Sequence, residues 1–214
     1  MALNWDFSTL ADRLGHAVQT AEVEVRLEQA VYGLDSRNEL ELQTLIAGDL
    51  ASHYEVAREV HYPSTVGRKL THRPRCDLVL SPRGQPLKLD STLPTLFDPT
   101  NLCLPDRALW LEVKIAYQFR EGGARHGGYG SQWRSAVVAD LRKMESEPLI
   151  HHAGLVLIVF TESQEILDKD IELFEDVLAQ KEVLAGFRQV RSIPILERIG
   201  HRLATLALWP TIQR

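Results

Sequence analysis

The sequence is poor in the features that mark several protein classes. Its 214 residues include only two cysteines, Cys76 and Cys103, too few for a disulfide framework and without metal-site spacing. No apolar run is long enough to span a bilayer; the longest is Leu155 to Phe160, with Ala153 and Gly154 ahead of it. The opening stretch MALNWDFSTLADRLGH lacks the basic start and apolar block of a secretory signal. Together these absences predict a cytoplasmic protein that does not enter a membrane. There is no Gly-x-Ser-x-Gly elbow for serine hydrolase chemistry, and no histidine spacing that suits zinc. The segment GGARHGGYG lacks the Gly-Lys-Ser/Thr ending of a phosphate loop. A net charge of −5 speaks against a protein that coats nucleic acid without selectivity.

Charge is present but unevenly placed. Lys and Arg outnumber Asp and Glu from Arg58 to Lys143, and Arg68, Lys69, His72, Arg73 and Arg75 form the densest basic patch. The stretch from Glu162 to Glu182 is acidic. A basic middle beside an acidic flank can guide a polyanion to one place, although solvated helix faces account for the acidic part equally well.

Apolar periodicity predicts the elements. Leu10, Leu14, Val18, Ala21, Val25, Leu27 and Val31 recur at near-helical spacing, so residues 1–35 read as a helical segment. Asp35 or Ser36 would cap a second helix running to Ala51 or His53, with His53 on its packed face. YEVAREVHYP reads as a strand with Val56 and Val60 on one face, and RCDLVLS as another. Residues 82–106 hold Pro82, Pro86, Pro94, Pro99 and Pro105 and read as an insertion. ALWLEVKIAY is the next strand, followed by a Gly-rich, mobile loop, a helix over about Ser131 to Glu145 and the buried strand AGLVLIVF. A helix over Gln164 to Val183 and short strands near FRQVRSI and HRLATLALW complete the chain. The expected class is α/β: one domain over 1–214, with a central mixed sheet flanked by helices.

ALWLEVKIAY poses a question. Strand alternation puts Leu109, Leu111, Val113 and Ile115 on one face and Glu112 and Lys114 on the other, their Cβ atoms about 7 Å apart. Asp77 likewise interrupts an apolar strand, and Glu39 ends the helical stripe of Leu42, Ile46 and Leu50. Buried charges cost several kcal/mol unless they pair, bind an ion or do chemistry. Carboxylates with hard oxygens suit Mg²⁺, which polarises a phosphoryl oxygen and activates water, and a lysine beside it can orient that water. Each residue also has a plainer reading: an ion pair on a sheet face for Glu112 and Lys114, a backbone-bonded carboxylate for Asp77, and a first-turn acid favoured by the helix dipole for Glu39.

Helical Glu39, strand Asp77 and then Glu112-Val113-Lys114 in the following strand resemble the PD-(D/E)xK phosphodiesterase superfamily. The resemblance spans about residues 36–160, interrupted by the 82–106 insertion, and Cys76 stands where the motif name has proline. It implies a restriction-endonuclease-like core and metal-dependent hydrolysis of nucleic-acid phosphodiesters, with DNA favoured over RNA. Asp77, Glu112 and Glu39 would ligate Mg²⁺ or Mn²⁺, and Lys114 would act on the water. The helix holding SAVVADLRKM resembles the one that follows the lysine strand in that family, which makes Gln132, Asp140 and Lys143 supporting candidates. Arg68, Lys69, Arg73, Arg75, Arg120 and Arg125, with Gln132 and Lys143, are the candidates for gripping a phosphate backbone. With no second DNA-reading domain evident, specificity would come from loops, a homodimer or a protein partner. The alternative is a nuclease fold without catalysis that binds a protein or nucleic acid.

Overall fold

The computed structural model describes residues 5–65, 69, 73–89 and 101–212. In chain order the elements are α1 (Phe7–Leu27), α2 (Glu39–Leu50), β1 (Tyr54–His61), β2 (Arg75–Pro82), β3 (Leu109–Tyr117), α3 (Tyr129–Glu145), β4 (His152–Thr161), α4 (Gln164–Gln180), β5 (Gln189–Pro194) and β6 (Leu203–Pro210). The strands form one six-stranded sheet in the order β1-β2-β3-β4-β6-β5. Among the six described strands only β3 and β4 pair in parallel, as expected of strands joined by a crossover helix, here α3. The sheet is therefore mixed and flanked by helices, an α/β architecture. It takes in β5 and β6, so its strands extend well past residue 160.

Strand alternation sorts the core into two layers. Leu109, Leu111 and Val113 of β3 join Val156, Ile158 and Phe160 of β4 beneath α1 and α2. Trp110 and Ala116 of β3 join Leu155, Leu157 and Val159 of β4 beneath α3 and α4. Leu42, Ile46 and Leu50 of α2 are fully buried, as the helical stripe predicted. Each such side chain contributes about 1.5–3 kcal/mol on leaving water. Among the described residues no helix is long and apolar enough to cross a membrane.

Several sequence expectations need correction. The apolar stripe of the first helix stops early: α1 ends at Leu27, which is exposed, and Val31 lies beyond it, also exposed. The cap of α2 is Asn38, whose side chain accepts from Glu41 N while Glu41 bonds back to Asn38 N. Asp35 and Ser36 belong instead to a short 3₁₀ turn. His53 is exposed in the turn after α2 and not on a packed face. Backbone bonds close the Gly-rich loop: Arg120 N to Ala124 O, Gly123 N to Arg120 O and His126 N to Gln118 O. Gly122 and Gly123 supply the positive φ angles, 88° and 79°, that this tight return requires.

The largest departure is in β1. Val56 packs in the α1/α2 layer, but Val60 packs in the α3/α4 layer. The reason is Glu59, a non-glycine residue at φ 52°, where the β1–β2 pairing passes from Arg58↔Leu78 to Val60↔Cys76 without a Glu59↔Asp77 partnership. The irregularity shifts β2 as well: Leu78 and Leu80 face one layer and Cys76 the other. Asp77 sits at the point of the switch.

Candidate active site

Strands β2 and β3 are paired over only three residues, Leu78–Leu80 against Leu109–Leu111. Beyond Leu111 they part, while β3 stays paired with β4 through Tyr117. The ladder bonds that would have continued are replaced by side chains of β2. The Asp77 carboxylate accepts from Val113 N at 2.7 Å through Oδ2, and the Cys76 thiol lies 3.3 Å from Leu111 O. This wedge leaves the Glu112–Lys114 stretch of β3 without a strand neighbour on the β2 side. Backbone satisfaction is part of what Asp77 does, so one plainer sequence reading of it holds.

Into the same wedge point the other predicted residues. Lys114 Nζ lies 4.0 Å from Asp77 Oδ2 and 3.8 Å from Glu39 Oε1. Asp140 of α3 is nearer still, its Oδ2 3.4 Å from Lys114 Nζ. Lys143, one turn later, stands 2.9 Å from Asp140 Oδ1 and 2.5 Å from Glu112 Oε1. Glu112 Oε1 also accepts from Tyr62 Oη at 2.6 Å. Gln43, buried on α2, lies 3.5 Å from Glu39 through its Nε2. Glu39, Asp77, Glu112 and Lys114, spread over three elements, are thus brought together. Asp140 and Lys143 join them from a fourth.

The electrostatics follow from burial. Glu112 is only 2% exposed, and burial, with Asp77 as neighbour, pushes its carboxyl up to about 7 against the opposing help of Lys143 and Tyr62. Partial desolvation raises the Glu39 carboxyl although its side chain is still 46% exposed; Lys114 opposes the shift and Asp77 reinforces it. For Lys114 burial acts downward, but Asp140, Asp77, Glu39 and Glu112 outweigh it and raise the ammonium. Lys143 is raised the same way by Glu112 and Asp140. Both lysines are therefore cations at neutral pH. Burial, then Cys76 and Glu112, drives the Tyr62 hydroxyl far upward, so it remains a donor.

The proposed phosphate-gripping residues are scattered. Arg68 and the side chain of Gln132 lie outside the described residues. Lys69 is exposed and Arg73 half-buried. Arg75 pairs with Glu59 at 3.8 Å on the outer strand. Arg125 faces Glu162 at 3.4 Å and the Phe119 ring at 5.9 Å. Arg120 is exposed beside a hollow of about 830 Å³ that Arg37, Tyr117, Phe119 and His126 also line. A smaller cleft of about 230 Å³ runs past Glu39 and Lys114 and shares Tyr117 and His126 with that hollow. Of the described members of this set, only Lys143 enters the charged cluster itself.

Tyr62 and Gln43 had no signal in the sequence, since each needs a tertiary neighbour to acquire a role. Among the described residues no group of three or more His, Cys, Asp or Glu is arranged to hold one ion. The chemistry of two carboxylates nevertheless fits Mg²⁺: Asp77 and Glu112 offer hard oxygens, and Mg²⁺ binds through one or two carboxylates plus water and substrate phosphate. Buried Glu112 already has a cation against it, in Lys143. Comparison with protein-family models, with curated proteins and with solved structures yields no match.

Proposed function

We propose that the chain is a metal-dependent phosphodiesterase that hydrolyses nucleic acid, DNA favoured, with a restriction-endonuclease-like core around Asp77, Glu112 and Lys114. One observation supports this above the others: charged residues far apart in sequence, each interrupting an apolar pattern, meet where β2 and β3 part. Asp77 and Glu112 would hold Mg²⁺ or Mn²⁺, with water and substrate phosphate completing its shell, while Glu39 faces Lys114. Bound there, the ion would lower the pKa of water and polarise the phosphoryl oxygen. Lys114, kept charged by its acidic neighbours, serves as a donor that orients the attacking water and offsets charge on the phosphoryl oxygens; its raised pKa makes it a poor base. Asp140 holds Lys114 from the helix side. The cleft beyond Lys114 shares Tyr117 and His126 with the hollow of Arg37 and Arg120, whose lining also carries Glu28, Asp35, Glu41 and Glu121.

A non-catalytic binding module is the second reading. It is favoured by the mutual ion pairing of Lys114 and Lys143 with Asp140 and Glu112, and by the lack of a three-acid ligand group among the described residues. Incubation with plasmid, single-stranded DNA and RNA in Mg²⁺ or Mn²⁺, beside Lys114→Ala and Asp77→Ala, separates the two. The enzyme reading expects cleavage by the wild type and none by either variant. No cleavage of any substrate together with no metal binding by calorimetry would leave the binding module.

A further inference from the structure

Lys143 has a place that the proposed chemistry leaves unused. Its ammonium is 2.5 Å from Glu112 Oε1 and 2.9 Å from Asp140 Oδ1, and it lies 5.3 Å from the centre of the Tyr62 ring. Glu112 Oε1 therefore receives both the Lys143 ammonium and the Tyr62 hydroxyl. That oxygen belongs to a buried carboxylate and would otherwise face an added cation. A lysine side chain is long, and this one is 30% exposed, so it can leave toward solvent by rotating its stem without moving α3. Asp140, three residues earlier on the same helix, gives it a second anchor one turn away. Tyr62, by contrast, is 1% exposed and stacked on Trp110, so it stays with Glu112.

We propose that Lys143 is an internal countercharge that occupies the divalent cation's position on Glu112 and must be displaced for the cation to bind. The inference rests on the proposed metal-dependent function and adds a competition between an ammonium and a metal ion for one carboxylate. Lys143 holds the Glu112 carboxylate in place while no metal is bound, through a charge-assisted contact at 2.5 Å. It thereby weakens metal binding, because the ion must break a short charge-assisted contact and tolerate a nearby positive charge. Lys143 is a positioning residue here, distinct from Lys114, which pairs with Asp140, Glu39 and Asp77.

The test is Mn²⁺ binding by calorimetry and electron paramagnetic resonance on wild type, Lys143→Met, Lys143→Arg and Glu112→Gln, with folding checked by circular dichroism. Lys143→Met is expected to bind Mn²⁺ at least about tenfold more tightly than wild type, Lys143→Arg to stay near wild type, and Glu112→Gln to lose the site. In the wild-type protein, acetylation of Lys143 followed by mass spectrometry should quicken severalfold when Mn²⁺ is added, as the amine is released. This second readout decides the matter if Lys143→Met does not fold. Equal or weaker Mn²⁺ binding by Lys143→Met, with binding still dependent on Glu112, overturns the competition and leaves the metal site standing. No Mn²⁺ binding by wild type or Lys143→Met overturns the metal-dependent reading itself, and the competition with it.

Discussion

Asp35 with His201 and Glu112 with Lys143 are both acid–base contacts inside the protein, yet their surroundings differ. Asp35 Oδ2 and His201 Nδ1 lie 3.0 Å apart, and both side chains are wholly buried. His201 Nε2 accepts from Phe119 N at 3.0 Å, so the ring carries its proton on Nδ1 and donates it to Asp35. The ring is packed among Tyr117, Phe119 and Phe160. That contact engages both ring nitrogens of His201 and ties the turn before α2 to the end of β3 and the approach to β6. The Glu112 cluster has four acids against two lysines, its lysine side chains are 22% and 30% exposed, and a cleft opens beside it. A wholly buried pair fixes geometry, whereas a part-exposed cluster of surplus charge is poised to exchange a partner.

Breaking each cluster should sharpen the contrast. The largest effect is expected for Lys114→Ala and Asp77→Ala: cleavage falling by at least about a hundredfold in single-turnover assays. For Lys114→Ala the melting temperature should hold within a few degrees; Asp77→Ala should also lose some stability, since Val113 N loses its acceptor. His201→Ala should show the converse. Removing one member of a buried pair costs about 3 kcal/mol, lowering Tm by roughly 6 to 12 °C in calorimetry while Mn²⁺ affinity is unchanged.

A smaller effect concerns pH. The Glu112 carboxyl is raised from an unfolded value near 4.5 to about 7, so between those values the folded state binds more protons than the unfolded. The stability that Glu112 contributes is complete below about pH 4.5 and is lost as pH rises toward 7. Urea unfolding of Glu112→Gln across this window should lack that component of the slope, at most about 1.4 kcal/mol per pH unit. Smallest is Arg125→Ala, which removes an exposed pair with Glu162 and should change stability by less than about 0.5 kcal/mol.

The legible part of this molecule is the part set by local periodicity. Leu109, Leu111 and Val113 alternate with Trp110, Glu112 and Lys114 as the strand pattern requires, and Leu42, Ile46 and Leu50 line the packed face of α2. Those patterns were enough to mark Glu39, Asp77, Glu112 and Lys114 as interruptions, and all four meet. What failed was set by single backbone residues or by distant contacts. Glu59 at φ 52° turns Val60 to the opposite layer from Val56, and no propensity announces a glutamate in that conformation. Asp35 suits an N-cap but is claimed by His201, far along the chain, leaving Asn38 to cap α2. Tyr62 reaches Glu112 only because β1 and β2 are paired, and Lys143 reads as one of several basic residues until α3 is docked on the sheet.

The central claim is that the wedge between β2 and β3 is a reaction centre. It is tested most directly by following Mn²⁺-dependent cleavage of end-labelled single-stranded and duplex DNA by wild type and Lys114→Ala. The predicted result is cleavage that chelator abolishes and restored Mn²⁺ recovers, and that Lys114→Ala lacks while melting like wild type. Cleavage undiminished in Lys114→Ala, or no cleavage by the folded wild type, would contradict it.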